Sequence, residues 1–270
     1  MDERSLWLGR FRPLVRDVMI AFIVVTVCLY ALLILRTVLV EDPYYMFEMI
    51  RPAGRPLVQV TLIALVGALA SAAIYLSDTH GAIETPPDGF FDLLSVVLGR
   101  VAMILTAFVV LVMFYEVVSR YVFSRPTLWA NELSLWLASF VFLLAGLYAM
   151  QQRSHIRIYI IYDMMPRWAR KASDVVSCLL ILFFVLALIW GGYSDALTRM
   201  LRMETFGTAW DPPLPGTLKP ALLIIILLVA IQAVSNLIAD WNKESESHSP
   251  MDDIDQTEIE NIRRTLEEKS

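Results

Sequence analysis

Arg153, His155 and Arg157 fall within five positions of the stretch QQRSHIRIYI, directly after eighteen residues, Leu133 to Met150, that carry no formal charge. Residues of these types support three chemistries: a metal-ligand cluster, a general base beside an anion clamp, or a basic marker where a helix leaves a lipid bilayer. The first lacks partners, because the other histidines, His80 and His248, lie far away in a loop and near the C-terminus. The following IRIYIIYDMMPRWARK alternates apolar residues and ends in bases, as an interfacial segment does before the next span. The membrane-exit reading therefore accounts for the charge.

Other ionisable residues stand close to apolar sequence, where they are costly and become functional candidates. Glu116 and Arg120 are spaced i, i+4, a favourable helix pair. Arg100 lies about eight residues into an apolar run, and is read as snorkelling to the headgroups, with a buried contact to another membrane subunit as the alternative. Glu132 follows Pro126 and Trp129 and opens a new apolar run, where the positive end of a helix dipole favours a carboxylate. Cys28 and Cys178 form neither a C-x-x-C motif nor a disulfide pattern. No paired carboxylates, Gly-rich phosphate loop or Ser/His/Asp set occurs, so the chain carries no catalytic constellation and is read as a non-enzyme without a cofactor of its own.

The elements that hold these residues follow from composition. The chain is 57% hydrophobic and 18% charged, against roughly 45–50% and about 25% in soluble domains. The excess is gathered into six runs near 18–40, 57–77, 93–119, 132–151, 174–195 and 220–239. Each is long enough to cross a bilayer and must be helical there, because lipid satisfies no backbone group. The expected fold is all-α, a multi-span integral membrane protein with about six transmembrane helices. No A-x-A-like cleavage site follows the first run, so it counts as a span.

The net charge of −5 resides in residues 242–270, which hold nine acids and four bases. The neutral remainder excludes the basic stripe that nucleic acid requires. Ile259, Ile262 and Leu266 give that acidic tail the spacing of a short amphipathic helix. Ten lysines and arginines fall on the side of the N-terminus and seven on the other, a small bias, and the amino-terminal cluster and the 153–171 loop favour both termini in the cytoplasm. The turn-rich Thr85-Pro86-Pro87-Asp88-Gly89 marks a boundary. Three regions result: a two-span extension and linker over 1–90, a four-span domain over 91–241, and the tail over 242–270.

The order of short motifs then resembles a known family. RYVF at 120–123, PTLWANE at 126–132, one span, RSHIR at 153–157 and Met165-Pro166 before the next span are similar to the small membrane subunit, DctQ-like, of tripartite ATP-independent periplasmic (TRAP) transporters. The resemblance covers roughly residues 92–240. The stretch METFGTAWDPP at 203–213, with Gln232 in the last span, resembles one branch of that family. Tyr159 stands where the family usually has Asp, and Asn131 where it usually has an acid.

The resemblance implies a scaffold in the bacterial inner membrane. It would hold a large permease subunit that imports a small organic acid or related solute with sodium, after a periplasmic solute-binding protein delivers it. Sodium coupling would belong to the large subunit. Arg120, Trp129, Glu132, His155 and Arg157 match the motifs and imply helix-end anchoring and subunit contact. The outer segment around Glu204, Trp210, Asp211 and Pro212 is the candidate contact for the binding protein. A membrane anchor for some other complex is the rival reading.

Overall fold

The computed structural model of the chain describes residues 5–39, 44–79, 81, 84–153 and 165–242. They form α1 (Arg12–Leu39), α2 (Met46–Ile50), α3 (Pro56–Ser77), α4 (Phe90–Tyr121), α5 (Trp129–Gln151), α6 (Arg167–Leu201) and α7 (Leu214–Asp240), with a single 3-10 turn, Gly9–Phe11, ahead of α1. Among the described residues there is no strand. All but the five-residue α2 are long and apolar enough to cross a membrane, as the six runs predict.

Several of the long helices reach beyond their apolar runs, α6 most of all, because polar turns extend them past the hydrocarbon. The 35 residues of α6 span about 52 Å at 1.5 Å per residue, well beyond roughly 30 Å of hydrocarbon. Prolines set several starts: Pro56 opens α3, Pro166 precedes α6, and Pro213 precedes α7. Their fixed φ and missing N–H suit a first turn, whereas Pro220 lies inside α7. Gly89, at φ 123°, turns the linker into α4 through a conformation that only glycine enters freely.

Along the membrane plane α1 packs on α3, α3 on α4, α4 on α5, α5 on α7, and α7 on α6. The interior of this row is built from small residues. Ala64, Ala68, Ala73, Ala102, Ala130, Ala230 and Ala233 are buried, whereas Phe142, Phe183, Phe184 and Trp190 point outward. Lipid is as apolar as leucine, so close backbone approach binds the helices together, and the bulky side chains are left to face the acyl chains. Met150, Cys178 and Ala233 form the buried junction of α5, α6 and α7, packed by Ile181, Leu182 and Val229.

Two contacts set the spacing. A Cβ at Gly67 would lie 2.6 Å from the Phe22 ring between α1 and α3, and one at Gly99 would lie 2.5 Å from the Tyr148 ring between α4 and α5. The Tyr148 ring cannot swing away without cost, because its hydroxyl donates to Glu84 at 2.6 Å. Gly99→Ala is expected to lower stability by about 1–3 kcal/mol. Gly146→Ala, where nothing lies within 4 Å, should be neutral or gain up to about 1 kcal/mol. Melting of both variants in detergent, side by side, checks this.

Candidate functional site

The helices alternate direction, so the polar segments collect at two ends. One end, the N-side, carries residues 5–11 and the linker after α3. The other, the far side, carries α2, the turn between α4 and α5, and the loop between α6 and α7.

On the far side the organising group is Glu132, in the first turn of α5. Its carboxylate accepts the Thr208 hydroxyl at 2.6 Å, the Asp211 N–H at 3.1 Å and the Trp210 N–H at 3.4 Å. It thus clasps the loop 202–213, which is bent by positive φ at Met203, Gly207 and Asp211. Asp211 in turn accepts the Gly207 N–H at 2.7 Å and the Arg51 guanidinium at 2.8 Å. The Gly207 N–H holds the Asp211 carboxyl below its usual range against the cost of burial, and Arg51 adds to this.

Trp210 is only 5% exposed, and its indole N–H donates to the Met46 carbonyl of α2 at 3.1 Å. Pro212 is fully buried, with its carbonyl accepting the Phe206 N–H at 3.0 Å. Glu204 pairs with Arg199 at the end of α6, which also meets Asp195 at 2.8 Å. Of the four docking candidates, Glu204 and Asp211 therefore keep accessible side chains, while Trp210 and Pro212 serve as internal packing for the loop.

A second knot lies beside the first. Glu116, 3% exposed, accepts Arg120 Nε at 2.9 Å and the Thr127 N–H at 3.0 Å, and also the Thr127 hydroxyl. The helix pair read from the i, i+4 spacing is present, and it additionally fastens the turn after α4. Trp129 stacks on Tyr115 with centroids 5.7 Å apart. Arg120, Trp129 and Glu132 thus stand close along one end of α4 and α5. His155 and Arg157 lie outside the described residues, as does the acidic tail from residue 243 onward.

On the N-side, Asp78, fully buried, accepts the Ser5 hydroxyl and the Trp7 and Leu8 N–H groups, each at 2.9 Å, with Arg12 Nε 3.5 Å away. Burial pushes this carboxyl up, but the N–H groups, the hydroxyl and Arg12 outweigh it, and its pKa lies below the usual value. Arg100 reaches the linker instead of snorkelling to headgroups: its guanidinium meets Glu84 at 2.6 Å and donates to the Thr79 carbonyl at 2.9 Å. Thr85 closes the tie by donating its N–H to Gln152 at 2.8 Å.

Just inside the N-side ends of the helices, a polar cluster joins α4, α5 and α7. Gln232 of α7 donates to Asp92 at 2.6 Å and Asn236 at 2.9 Å, and accepts the Ser95 hydroxyl at 2.9 Å. Asn236 donates to the Met150 carbonyl of α5 at 2.7 Å. The cluster is internally satisfied, as buried polar groups in low dielectric must be. Among the described residues no three His, Cys, Asp or Glu side chains converge as metal ligands. Both cysteines are free thiols.

Sequence reading missed Asp92, Ser95, Asp78 and the partner of Arg100. Glu84 was a visible signal, an acid 16 residues before Arg100 in a turn-rich linker that also holds Asp78 and Asp88. The side-chain partner of Asp92, Gln232, is 140 positions away, while its other oxygen accepts the nearby Asp88 N–H at 3.2 Å.

Six apolar helices, clasped by carboxylates at their ends, define a multi-pass helical membrane protein. Residues 109–243 match the family model described as tripartite ATP-independent periplasmic transporters, DctQ component, and the chain belongs to that family of transporter subunits. The match begins part-way along α4 and leaves α1 to α3 unmatched. No curated protein sequence matches the chain.

Arg100 holds the Glu84 carboxyl at about 2 against burial, helped by the Tyr148 hydroxyl and the Gly81 N–H. A carboxyl lowered by folding stabilises the fold above its free value of 4.5 and loses that contribution as pH falls toward about 2. The melting temperature of the wild type is therefore expected to be level near neutrality and to fall across that acidic window. Glu84→Gln should melt lower at pH 7 and respond less to acid. Equal acid profiles for the two proteins would show that the tether does not contribute.

Proposed function

We propose that the chain is the scaffolding small membrane subunit of a sodium-driven, binding-protein-dependent TRAP transporter for a small organic acid or related solute. It sits in the bacterial inner membrane with both termini in the cytoplasm, so the far side faces the periplasm. The observation that carries this reading is the family match over α4 to α7, joined to helices that are tied to one another at both ends. A scaffold must resist a moving partner, and interhelical ties through Glu132 and Glu84 provide that resistance.

In this reading the chain performs no chemistry. Arg120, Trp129 and Glu132 fix the helix ends against which the large permease subunit is held, and His155 and Arg157 belong to the cytoplasmic loop before α6. The loop bearing Glu204 and Asp211 stands on the periplasmic surface, where the solute-binding protein docks. Sodium and substrate are bound by the large subunit.

Affinity purification of the chain from its native membrane in mild detergent, followed by mass spectrometry, tests the reading. A stoichiometric large membrane companion is expected, as the family match implies. Recovery alone, or with a soluble enzyme, would overturn it. Glu132→Ala leaves three donors of the outer loop unanswered, at about 1–3 kcal/mol. The variant is expected to lower uptake, and uptake equal to that of the wild type would show that the clasp does not contribute.

A further inference from the structure

The N-side ends of α6 and α7 carry charge that the described residues match only in part. Arg167, Arg170, Lys171 and Asp174 fall at i, i+3, i+4 and i+7 and share one face of the opening turns of α6, whose first turn holds no acid. Arg167 is exposed and has no ion-pair partner among the described residues. Arg170 donates to the Met165 carbonyl at 2.9 Å, and the Lys171 ammonium lies 4.7 Å from the centre of the Trp241 ring. Beside them, Arg153 at the end of α5 is engaged by Asp240 at 2.6 Å. Three bases against Asp174 leave the α6 face at +2. The segment 154–164 does not alter this balance, since its Arg157 and Asp163 cancel.

What can meet this face follows from where the chain goes next. Lys171 sits on Trp241, the residue after α7, so residues 243–270 depart from beside the basic face. They hold nine acids and four bases, a net charge of −5 and thus of opposite sign. Attachment to α7 makes the encounter intramolecular, at an effective concentration on the order of millimolar. The same face carries an apolar neighbour, Trp168, which is 75% exposed. Ile259, Ile262 and Leu266 form an apolar stripe in the acidic segment at helical spacing. A coil as long as 243–258 spans roughly 20 Å or more, which brings that stripe within range of the first turns of α6.

We propose that the acidic segment 243–270 folds back onto α6, its carboxylates meeting Arg167, Arg170 and Lys171 and its apolar stripe meeting Trp168. The contact closes the N-side end of α6 and α7 and shields its bases from other anions. It goes beyond the transporter reading and stands without it, because both partners lie at the same end of the helices whichever way the chain is inserted.

The test holds the full chain in nanodiscs of phosphatidylcholine at low salt and treats it with a carbodiimide, which joins an ammonium to a carboxylate in contact with it. Mass spectrometry of the peptides then reads the partners of Lys171. Links to acids between Asp252 and Glu260 are expected, whereas Glu244 and Glu246 are too near Trp241 in sequence to count. The yield should fall about threefold in Arg167→Glu, as reversal of one exposed pair predicts, and should fall in the wild type as salt rises. Melting verifies that Arg167→Glu keeps the fold, and the salt series tests the same contact without any substitution. Replacing part of the lipid by phosphatidylglycerol should leave most of the yield. Absence of links beyond Glu246 would overturn the inference, as would a yield that stays level in a folded Arg167→Glu or across the salt series. Loss of the links on adding phosphatidylglycerol would assign the face to anionic lipid and overturn it too.

Discussion

A charge carried into or beside hydrocarbon needs its partner in place, and the structure is organised by where these partners come from. Glu116 takes its hydrogen bonds from the helix it sits on and the turn that follows. Glu132 takes them from a loop nearly eighty residues later in the chain. Arg100 takes its partner from the linker that precedes its own helix. Each pairing relieves the cost of one ionisable group and simultaneously fixes a connection between helices. The small residues between the helices then decide how near they can come, and the ties at the ends decide which face meets which.

This division of labour explains how much was legible in the sequence. Six spans followed from apolar runs, because a helix in lipid satisfies its own backbone and needs no tertiary information. The Glu116–Arg120 pair followed from spacing alone, since i, i+4 neighbours meet on any helix. Glu132 was visible as an acid at a helix start, yet its role as a clasp was not, because its donors come from another connection. Asp92 and Gln232 lie 140 positions apart, and nothing in either local sequence points to the other. Arg100 shows the reverse error: a long cationic side chain near a span end ordinarily snorkels, and only the fold reveals the carboxylate that intercepts it.

The docking candidates show the same limit at the surface. Trp210 and Asp211 stand out in the sequence as an aromatic and an acid in an outer loop. The fold turns Trp210 inward beneath α2 and engages Asp211 with Arg51. Exposure in a loop is a tertiary property, and an extension outside the recognisable motif order covers these positions.

The tie between Glu84 and Arg100 bears on how the chain is made. The two residues are 16 positions apart, so they leave the ribosome roughly one to three seconds apart at about 5–20 residues per second. An arginine within a span costs about 2.5–3.5 kcal/mol at the centre of the membrane during insertion, and less toward its end. Glu84 has already been synthesised, attached to the end of a completed α3, when α4 begins to partition into lipid. The extension thus stands ready as a template, offering the counter-ion at the depth where the incoming helix needs it. In this chain the order of synthesis and the order of charge neutralisation coincide.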